Sequence, residues 1–368
     1  MSVKLQEIMD LMEQFAPAAL AESWDNPGLA AGDPSDEICR VLVALDATEP
    51  VIDEAIEKGA DLILTHHPIL FRPVKTLRRD TPKGKSLAKA IKNDIALFSA
   101  HTNLDIAKGG TNDELARVIG LENIGLLIET ERKPLNKIAV YAPLTHIEEI
   151  KSAMFAAGAG CIGNYSDCAF YAEGKGSFRP LEGTDPYIGT RDKYEIVPEA
   201  RIETICPAEI TGRVVSAMLE AHPYEEAAYD IYTVEQSPFA EGLGRTGYLK
   251  EEKTLREFAL SLKEALGLKN INIIGDPERK IRKISLCTGA GSEFIETAAK
   301  NGSDLYITGD ISYHDAQLAY DYDIALIDAT HYASENLITE VLKKHLEDAF
   351  PELEVIKSEI DGQPFIGL

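Results

Sequence analysis

Residues 41–65 read VLVALDATEPVIDEAIEKGADLILT, and this stretch aligns without a gap on residues 284–308, ISLCTGAGSEFIETAAKNGSDLYIT. Both copies begin with an apolar run, continue with a helical pattern that ends at a glycine, and close on a second apolar run. This is the order of a βαβ unit, in which a helix connects two parallel strands. We therefore predict an α/β fold built from two related lobes.

Polar side chains follow the predicted strands of both lobes. His66 and His67 come directly after the first copy, where LTHHP interrupts the apolar run. A second similarity links DIALFSAHTNLD at residues 94–105 with DIALIDATHYASE at residues 323–335, and each stretch carries a histidine and a carboxylate after its strand. Because ligands of open α/β sheets bind beyond the carboxyl ends of the strands, these side chains predict a ligand site there.

The residue types favour a metal site. The candidate ligands are His66, His67, Asp105, His331 and Glu335. His331 and Glu335 lie four residues apart, so on a helix they share one face and can hold one ion. Five nitrogen and oxygen ligands are too many for one tetrahedral ion with an open position and suit two ions that share a carboxylate. We predict two divalent ions per chain, with zinc preferred and iron, manganese, cobalt or nickel as alternatives.

Two further histidines are candidates for proton transfer. His101 lies four residues before Asp105, and His314 lies in ITGDISYHDAQ, which we interpret as the second lobe's counterpart of the His66 region. A histidine near a metal-activated water can act as general acid or base. For His314, an exposed position at the start of a helix is an equally good interpretation. The segment SWDNPGL, residues 23–29, holds the only tryptophan, which either lines a pocket or caps a turn.

The segment between the lobes has a different pattern. Residues 130–244 show the order β-α-β-β-α-β, which is typical of a ferredoxin-like α+β domain. We predict that this domain is inserted between residues 1–129 and 245–368, which form the metal-binding lobes. Within it, His222 lies beside two glutamates in AHPYEEAAYD, where a turn that enters a strand explains the pattern at least as well as a ligand site does.

The composition argues against two classes of partner. A formal net charge of −24 disfavours binding to nucleic acid or to an anionic membrane, because both would be repelled.

The five cysteines are scattered without a Cys-x-x-Cys pair, which fits a reducing compartment rather than a disulfide framework. The N-terminal stretch is an amphipathic, acidic helix pattern rather than a secretion signal, so we expect a cytoplasmic protein.

Taken together, the motifs ESWDNPGL, LTHHP, AHTNLD, TGDISYHDA and THYASE resemble those of the Nif-three-like family, the GTP cyclohydrolase I type 2 homologues. The resemblance implies a Nif-three-like fold, two metal ions on the five ligands named above, and a homohexameric, toroid-like assembly. The inserted segment, with KIAVYAP, GNYSDC, FRPLEG and HPYEEAAYD, is similar to the CutA/PII-like module of many bacterial members.

Two functions are consistent with these features. The first is a metal-dependent hydrolase that acts on a nucleotide or another small phosphate-containing molecule, as the GTP cyclohydrolase resemblance implies. Such a reaction opens the imidazole ring of guanine by adding metal-activated water at C8, and hydrolysis of the resulting formamide then expels formate. The alternative is a non-catalytic protein that handles metal or senses a ligand through the inserted domain.

Overall fold

The structure is a computed structural model that describes residues 2–72, 74–132, 134–162, 165–234 and 240–365. The chain divides into two compact units, one formed by Met1–Thr130 with Glu241–Leu368 and the other by Glu131–Ala240. Residues 241–244 belong to the first unit because they pair with residues 127–130. In this pairing the backbone N–H groups of Ile128 and Thr130 donate to the carbonyl oxygens of Leu243 and Glu241, each at 3.0 Å.

The regular elements follow in chain order. Up to residue 126 they are β1 (Val3–Lys4), α1 (Leu5–Phe15), β2 (Gly28–Ala31), β3 (Glu37–Ile38), β4 (Arg40–Ala44), α2 (Glu49–Lys58), β5 (Leu62–Thr65), α3 (Pro82–Lys92), β6 (Ala96–Ser99), α4 (Thr102–Ile106), α5 (Thr111–Val118) and β7 (Glu122–Leu126). From residue 131 to residue 241 they are β8 (Glu131–Arg132), β9 (Leu135–Pro143), α6 (Ile147–Ala156), β10 (Ala169–Phe178), β11 (Glu195–Pro207), α7 (Thr211–Ala221), β12 (Tyr229–Val234) and β13 (Ala240–Glu241).

The remaining elements complete the first unit. They are β14 (Arg245–Thr254), α8 (Leu255–Ala265), β15 (Asn272–Ile274), β16 (Lys280–Leu286), α9 (Ile295–Lys300), β17 (Leu305–Thr308), α10 (Tyr313–Asp321), β18 (Ala325–Asp328), α11 (His331–Glu335), α12 (Ile338–Ala349) and β19 (Glu354–Lys357). No helix in the described part of the chain combines the length and the apolar character that crossing a lipid bilayer requires.

Two large sheets organise the first unit. One has the strand order β19-β4-β5-β6-β2, and the other has the order β15-β18-β17-β16-β14-β7. In each sheet three consecutive strands, β4-β5-β6 and β16-β17-β18, run parallel, and an antiparallel strand, β2 or β15, borders the third. The prediction of an α/β fold with two related lobes is therefore confirmed.

The two lobes also exchange strands. β19 comes from the end of the chain, yet it pairs with β4 of the first sheet. Conversely, β7 precedes the inserted segment in the sequence and pairs with β14 of the second sheet. Each sheet thus contains strands from both parts of the chain, which the predicted limits of the lobes did not anticipate.

The central strands are apolar because both of their faces are covered. Every residue of β5 and of β17 is buried, as is typical of parallel strands with helices on both sides. In the first lobe, Gly59 ends α2 in the left-handed conformation, with φ of 64°. Gly302 takes the corresponding position after α9, with φ of 72°. These turns direct the chain into β5 and β17, whose carboxyl ends carry the polar residues.

The second unit is an antiparallel sheet with two helices. Its strand order is β10-β11-β9-β12, and all three pairings are antiparallel. Apolar residues of α6 and α7, among them Ile150, Met154, Val214 and Met218, pack on β9 and β11 in a single core. The arrangement is that of a ferredoxin-like split βαβ fold.

Candidate metal centre

The carboxyl ends of three strands bring the predicted ligands together. His66 and His67 follow β5, Asp105 lies in α4 after β6, and His331 and Glu335 begin and end α11 after β18. Thr330 starts α11 by accepting a hydrogen bond from the N–H of Ala333 at 3.2 Å. Both lobes therefore contribute side chains to one buried cluster.

The donors of the cluster form two groups that meet at Glu335. In the first group, Nε2 of His66 lies 3.5 Å from Oδ1 of Asp105 and 3.8 Å from Oε1 of Glu335. In the second group, Oε2 of Glu335 lies 2.9 Å from Nε2 of His67 and 3.1 Å from Nε2 of His331. The two carboxylate oxygens of Glu335 thus face different groups, so this side chain could bridge two ions.

The distances and one unsatisfied atom fit a metal site. Two ligands about 2.1 Å from a tetrahedral ion are about 3.4 Å apart, and Nε2 of His67 lies 3.4 Å from Nε2 of His331. Nε2 of His66 is buried and makes no hydrogen bond with acceptable geometry to the described residues. Buried polar atoms without partners are rare in folded proteins. This donor set can therefore hold a metal ion.

The other nitrogen of each histidine has a fixed partner. Nδ1 of His66 is 2.8 Å from the carbonyl oxygen of Ala100. The Nδ1 atoms of His67 and His331 lie 2.8 Å from carboxylate oxygens of Asp46 and Asp310, respectively. Because an acceptor at Nδ1 places the ring proton there, the lone pair of Nε2 is directed into the cluster, as in histidines that bind metal.

The charges of the cluster favour a bound cation. Burial disfavours a charged His67, but hydrogen bonds to Asp46 and Glu335 outweigh it and raise its pKa to about 10. The hydrogen bond to Glu335 likewise raises the pKa of His331 to about 9. Burial opposes ionisation of Glu335, yet the surrounding imidazoles, His331 first, hold its pKa well below the usual range. The carboxylates thus attract positive charge, which metal ions supply without protonating the ligands.

His101 lies at the edge of the cluster. One nitrogen of its ring falls within 4.8 Å of donor nitrogens of both His66 and His67. Its Nδ1 is 2.8 Å from Oδ1 of Asp25, whose other carboxylate oxygen accepts the N–H of Thr102 at 3.0 Å. Burial works against ionisation of Asp25, but the hydrogen bonds from His101 and Thr102 lower its pKa to about 2. A charged aspartate therefore orients His101 toward the cluster.

His314 is not part of this cluster. It is exposed near the start of α10, and its Nδ1 lies 3.2 Å from Oε1 of Gln317. The alignment of the two repeat copies explains why His314 lies outside the cluster. Thr65 aligns with Thr308, so the second-lobe counterparts of His66 and His67 are Gly309 and Asp310 rather than His314.

Sequence reasoning missed the residues that support the ligands. Asp46 follows β4 and Asp310 follows β17, so a polar residue at a strand end was the available signal for both. Asp25 belongs to SWDNPGL, for which the sequence predicts a role only for the tryptophan. Gly289 was also missed. It has φ of +67°, and a Cβ atom there would lie 2.1 Å from Oε1 of Glu335, so only glycine leaves room for this carboxylate.

His222 in the second unit has a structural role. Its Nε2 lies 3.0 Å from the carbonyl oxygen of Tyr141, and its Nδ1 accepts the N–H of Tyr224 at 3.1 Å. Burial lowers its pKa, which fits a neutral ring that donates at Nε2 and accepts at Nδ1. Because both nitrogens are occupied, the interpretation as a turn is preferred to that as a ligand site.

The fold and the cluster define a class of protein, namely two-lobed α/β proteins with a buried set of nitrogen and oxygen donors that can hold a metal ion. The profile of the Duf34/NIF3 (NGG1p interacting factor 3) family matches residues 3–364. The chain therefore belongs to this family, and the resemblance inferred from its motifs is confirmed.

Individual relatives agree with this assignment. A Bacillus subtilis protein named GTP cyclohydrolase 1 type 2 homolog is 44% identical, over 99% of this chain and 98% of the relative. A relative of the same name from Halalkalibacterium halodurans is 43% identical over 98% of both chains. Among solved structures, a Bacillus cereus protein related to NIF3 has a TM-score of 0.88 at 40% identity, covering 100% of this chain and 99% of its own. A Staphylococcus aureus protein has a TM-score of 0.82 at 33% identity, with the same coverage.

Proposed function

We propose that the protein binds two divalent metal ions and is a metal-dependent hydrolase of a nucleotide or another small phosphate-containing molecule. His66, Asp105 and Glu335 would hold the first ion, and His67, His331 and Glu335 the second. The observation that carries the proposal is the position of Glu335, whose two oxygens face the two donor groups separately. We propose zinc as the preferred metal. Iron, manganese, cobalt and nickel ions also bind nitrogen and oxygen ligands of these types.

Two bound ions would supply Lewis-acid chemistry, polarising a phosphoryl or carbonyl oxygen and acidifying water. The chain itself would supply the proton transfer. His101 is held at Nδ1 by Asp25, so its Nε2 is free to take up or deliver a proton beside both donor groups. The relatives named GTP cyclohydrolase 1 type 2 homolog support including GTP among the substrates to be tested.

Metal content and turnover test the proposal together. We expect two equivalents of metal per chain by elemental mass spectrometry, falling to one or none in Asp105→Asn and in His331→Ala. His314→Ala is the matched control, because it removes an exposed imidazole outside the cluster, and it should retain two. The metal-loaded parent should also turn over GTP, another nucleotide or a phosphoester in a screen. Stoichiometric metal without any turnover would contradict the hydrolase and favour the metal-handling or sensing alternative.

A separate variant tests the assignment of His101. His101→Gln should keep both metal equivalents and lower kcat by roughly 10²- to 10⁴-fold, as loss of a proton-transfer group does. A loss of metal in this variant would instead make His101 a ligand.

We further propose a homohexamer with a toroid-like shape and the metal sites facing its cavity, supported by the family resemblance. Exposed aromatic side chains on α10, Tyr313 at 73% and Tyr320 at 68%, offer apolar area for contacts between subunits. Native mass spectrometry should detect six copies of the 40.3 kDa chain. A stable monomer or dimer at working concentration would contradict this assembly.

A further inference from the structure

Two large aromatic side chains lie exposed beside the metal centre. Trp24 is 54% exposed and Phe71 is 36% exposed, and their ring centroids are 5.3 Å apart. Their centroids lie 6.2 Å and 6.1 Å, respectively, from the centroid of the His101 ring. Adjacent exposed aromatic rings form an apolar patch, and such patches mark interaction sites, ligand-binding grooves among them, more often than single exposed apolar side chains do.

The segments that carry these two rings are fastened to each other. The side-chain amide of Asn26 donates to the carbonyl oxygen of Leu70 at 2.7 Å, which ties the turn after Trp24 to the residue before Phe71. Asp25, between Trp24 and Asn26, accepts the hydrogen bonds from His101 and Thr102 described above. The two rings are therefore held in place relative to the metal centre, and a ligand would meet a preformed surface.

A cavity of about 590 Å³ connects the rings with the metal centre. Its lining includes Trp24 and Phe71 together with Asp105, His331 and Glu335. This volume lies within the roughly 300–1,000 Å³ typical of small-molecule sites. A single small molecule can therefore contact the metal ligands at one end and the aromatic rings at the other.

The charge of the lining limits the chemistry of that molecule. Apart from the metal ligands, Glu22 and Glu293 line the cavity, and no lysine or arginine is among its described lining residues. Besides the imidazole of His101, only bound metal ions could therefore balance an anionic group, whereas additional phosphates would meet carboxylates. The part of the ligand that extends away from the metals should be uncharged or cationic.

We propose that Trp24 and Phe71 are a stacking surface for the planar aromatic ring of a small molecule whose single anionic group binds at the metal centre. Nucleoside monophosphates belong to this class. The inference rests on the proposed metal site, and it narrows the substrate class by making the ring a required feature and a polyphosphate tail an unfavourable one. Stacking on aromatic side chains is suited to this role because every nucleobase has a π face.

The sequence provides a direct probe, because Trp24 is the only tryptophan of the 368 residues. Full-length, metal-loaded protein is titrated with adenosine monophosphate, with ribose 5-phosphate and with adenosine triphosphate while tryptophan emission is followed. We expect quenching by the monophosphate, weaker binding of the triphosphate, and no quenching by ribose 5-phosphate, which carries the same phosphate but no ring.

Variants separate stacking from other causes, with affinities measured by calorimetry. Phe71→Ala and Trp24→Ala should each weaken binding of adenosine monophosphate by roughly 5- to 150-fold, as expected when a stacked ring is removed. Trp24→Phe should restore most of the affinity, and Tyr194→Ala, which removes a similarly exposed ring outside the cavity, should leave it unchanged. Metal content, measured in parallel, should stay at the parent value in all four variants.

Two results would overturn the inference: equal affinity for adenosine monophosphate and ribose 5-phosphate, or unchanged affinity in both alanine variants. Tighter binding of the triphosphate than of the monophosphate would refute the part that concerns charge. Because the readout is binding rather than turnover, a protein that passes this test but hydrolyses nothing would refute the hydrolase and leave the stacking surface in place.

Discussion

The two lobes share a framework down to single hydrogen bonds and differ where the chemistry lies. In the first lobe, Oδ2 of Asp61 accepts the backbone N–H groups of Cys39 and Arg40 at 2.7 and 2.9 Å. In the second lobe, Oδ2 of Asp304 accepts those of Arg282 and Lys283 at 2.9 and 2.8 Å. At the opposite, carboxyl ends of the same strands, the correspondence of residue types is lost.

Three aligned pairs show what changed. The repeat sets His66 against Gly309, His67 against Asp310, and Asp46 against Gly289. In the first lobe these positions supply two imidazoles and the carboxylate that orients one of them. In the second they supply the aspartate that orients His331 and a glycine that leaves room for Glu335. One framework thus provides both candidate ligands and the space around them. The following predictions test this division from the largest effect to the smallest.

Glu335→Gln should have the largest effect, because this side chain faces both donor groups. We expect loss of both metal equivalents, with an affinity decrease beyond the roughly 10- to 100-fold typical of losing an outer partner. Elemental mass spectrometry after dialysis measures it. Glu340→Gln, an exposed site on α12 that pairs with Lys357, is the control. Two metal equivalents retained in Glu335→Gln would disprove the shared ligand.

Gly289→Ala should come next, because the added Cβ would lie 2.1 Å from Oε1 of Glu335. We expect metal content to fall toward that of Glu335→Gln while circular dichroism stays native-like. Gly302→Ala is a matched control, since Gly302 also has a positive φ, of +72°, but a Cβ added there would meet no atom of the described residues within 4 Å. Equal metal loss in both variants would assign the effect to backbone strain rather than to crowding of the carboxylate.

Asp46→Asn and Asp310→Asn should have intermediate and similar effects. Each removes the carboxylate that orients one histidine of the second donor group, His67 or His331. Metal affinity should fall roughly 10- to 100-fold in both variants, as for other partners of metal-bound histidines. Competition with a chelator measures the affinity, and Asp53→Asn, an exposed residue paired with Lys89, is the control. A strong effect in only one lobe would show that the two aspartates are not equivalent.

Asp61→Ala and Asp304→Ala should have the smallest effects on metal binding, and equal effects on local stability. Each removes an acceptor of two backbone hydrogen bonds, so we expect a local loss of roughly 1–3 kcal/mol. Hydrogen exchange should accelerate at Cys39 and Arg40 in the first variant and at Arg282 and Lys283 in the second, with metal content unchanged. Acceleration spread over the whole first unit would mean that these contacts support the fold globally.

The sequence was sufficient to predict which candidate ligands lie together because their pattern is local. Adjacent histidines after a strand, and a histidine four residues before a carboxylate in each lobe, are visible without knowing the fold. The structure brings all five predicted ligands into one cluster with His101 beside it. The change in the order of strands and helices led in the same way to the prediction of an inserted α+β segment.

The supporting residues were not predictable because their contacts depend on the order of strands in the sheets. Asp25 meets His101 across 76 positions of the chain, and Asp46 meets His67 across 21. No periodicity in the sequence records such pairings. The exchange of β7 and β19 between the sheets was missed for the same reason, since an edge strand can pair with either sheet until the tertiary packing selects one.

The hydrogen bond between Thr130 and Glu241 has an evolutionary consequence. The last residue before the second unit and the first one after it are adjacent in space, joined at 3.0 Å between backbone atoms. The roughly 110 residues between them act on the first unit as one long hairpin loop would. This follows because the free-energy cost of closing a loop rises only slowly with the length of the loop. We therefore expect a chain in which a two-residue turn replaces the whole segment to keep the fold of the first unit. On this expectation, recombination could add, exchange or remove the module without redesigning the scaffold that carries the candidate metal centre.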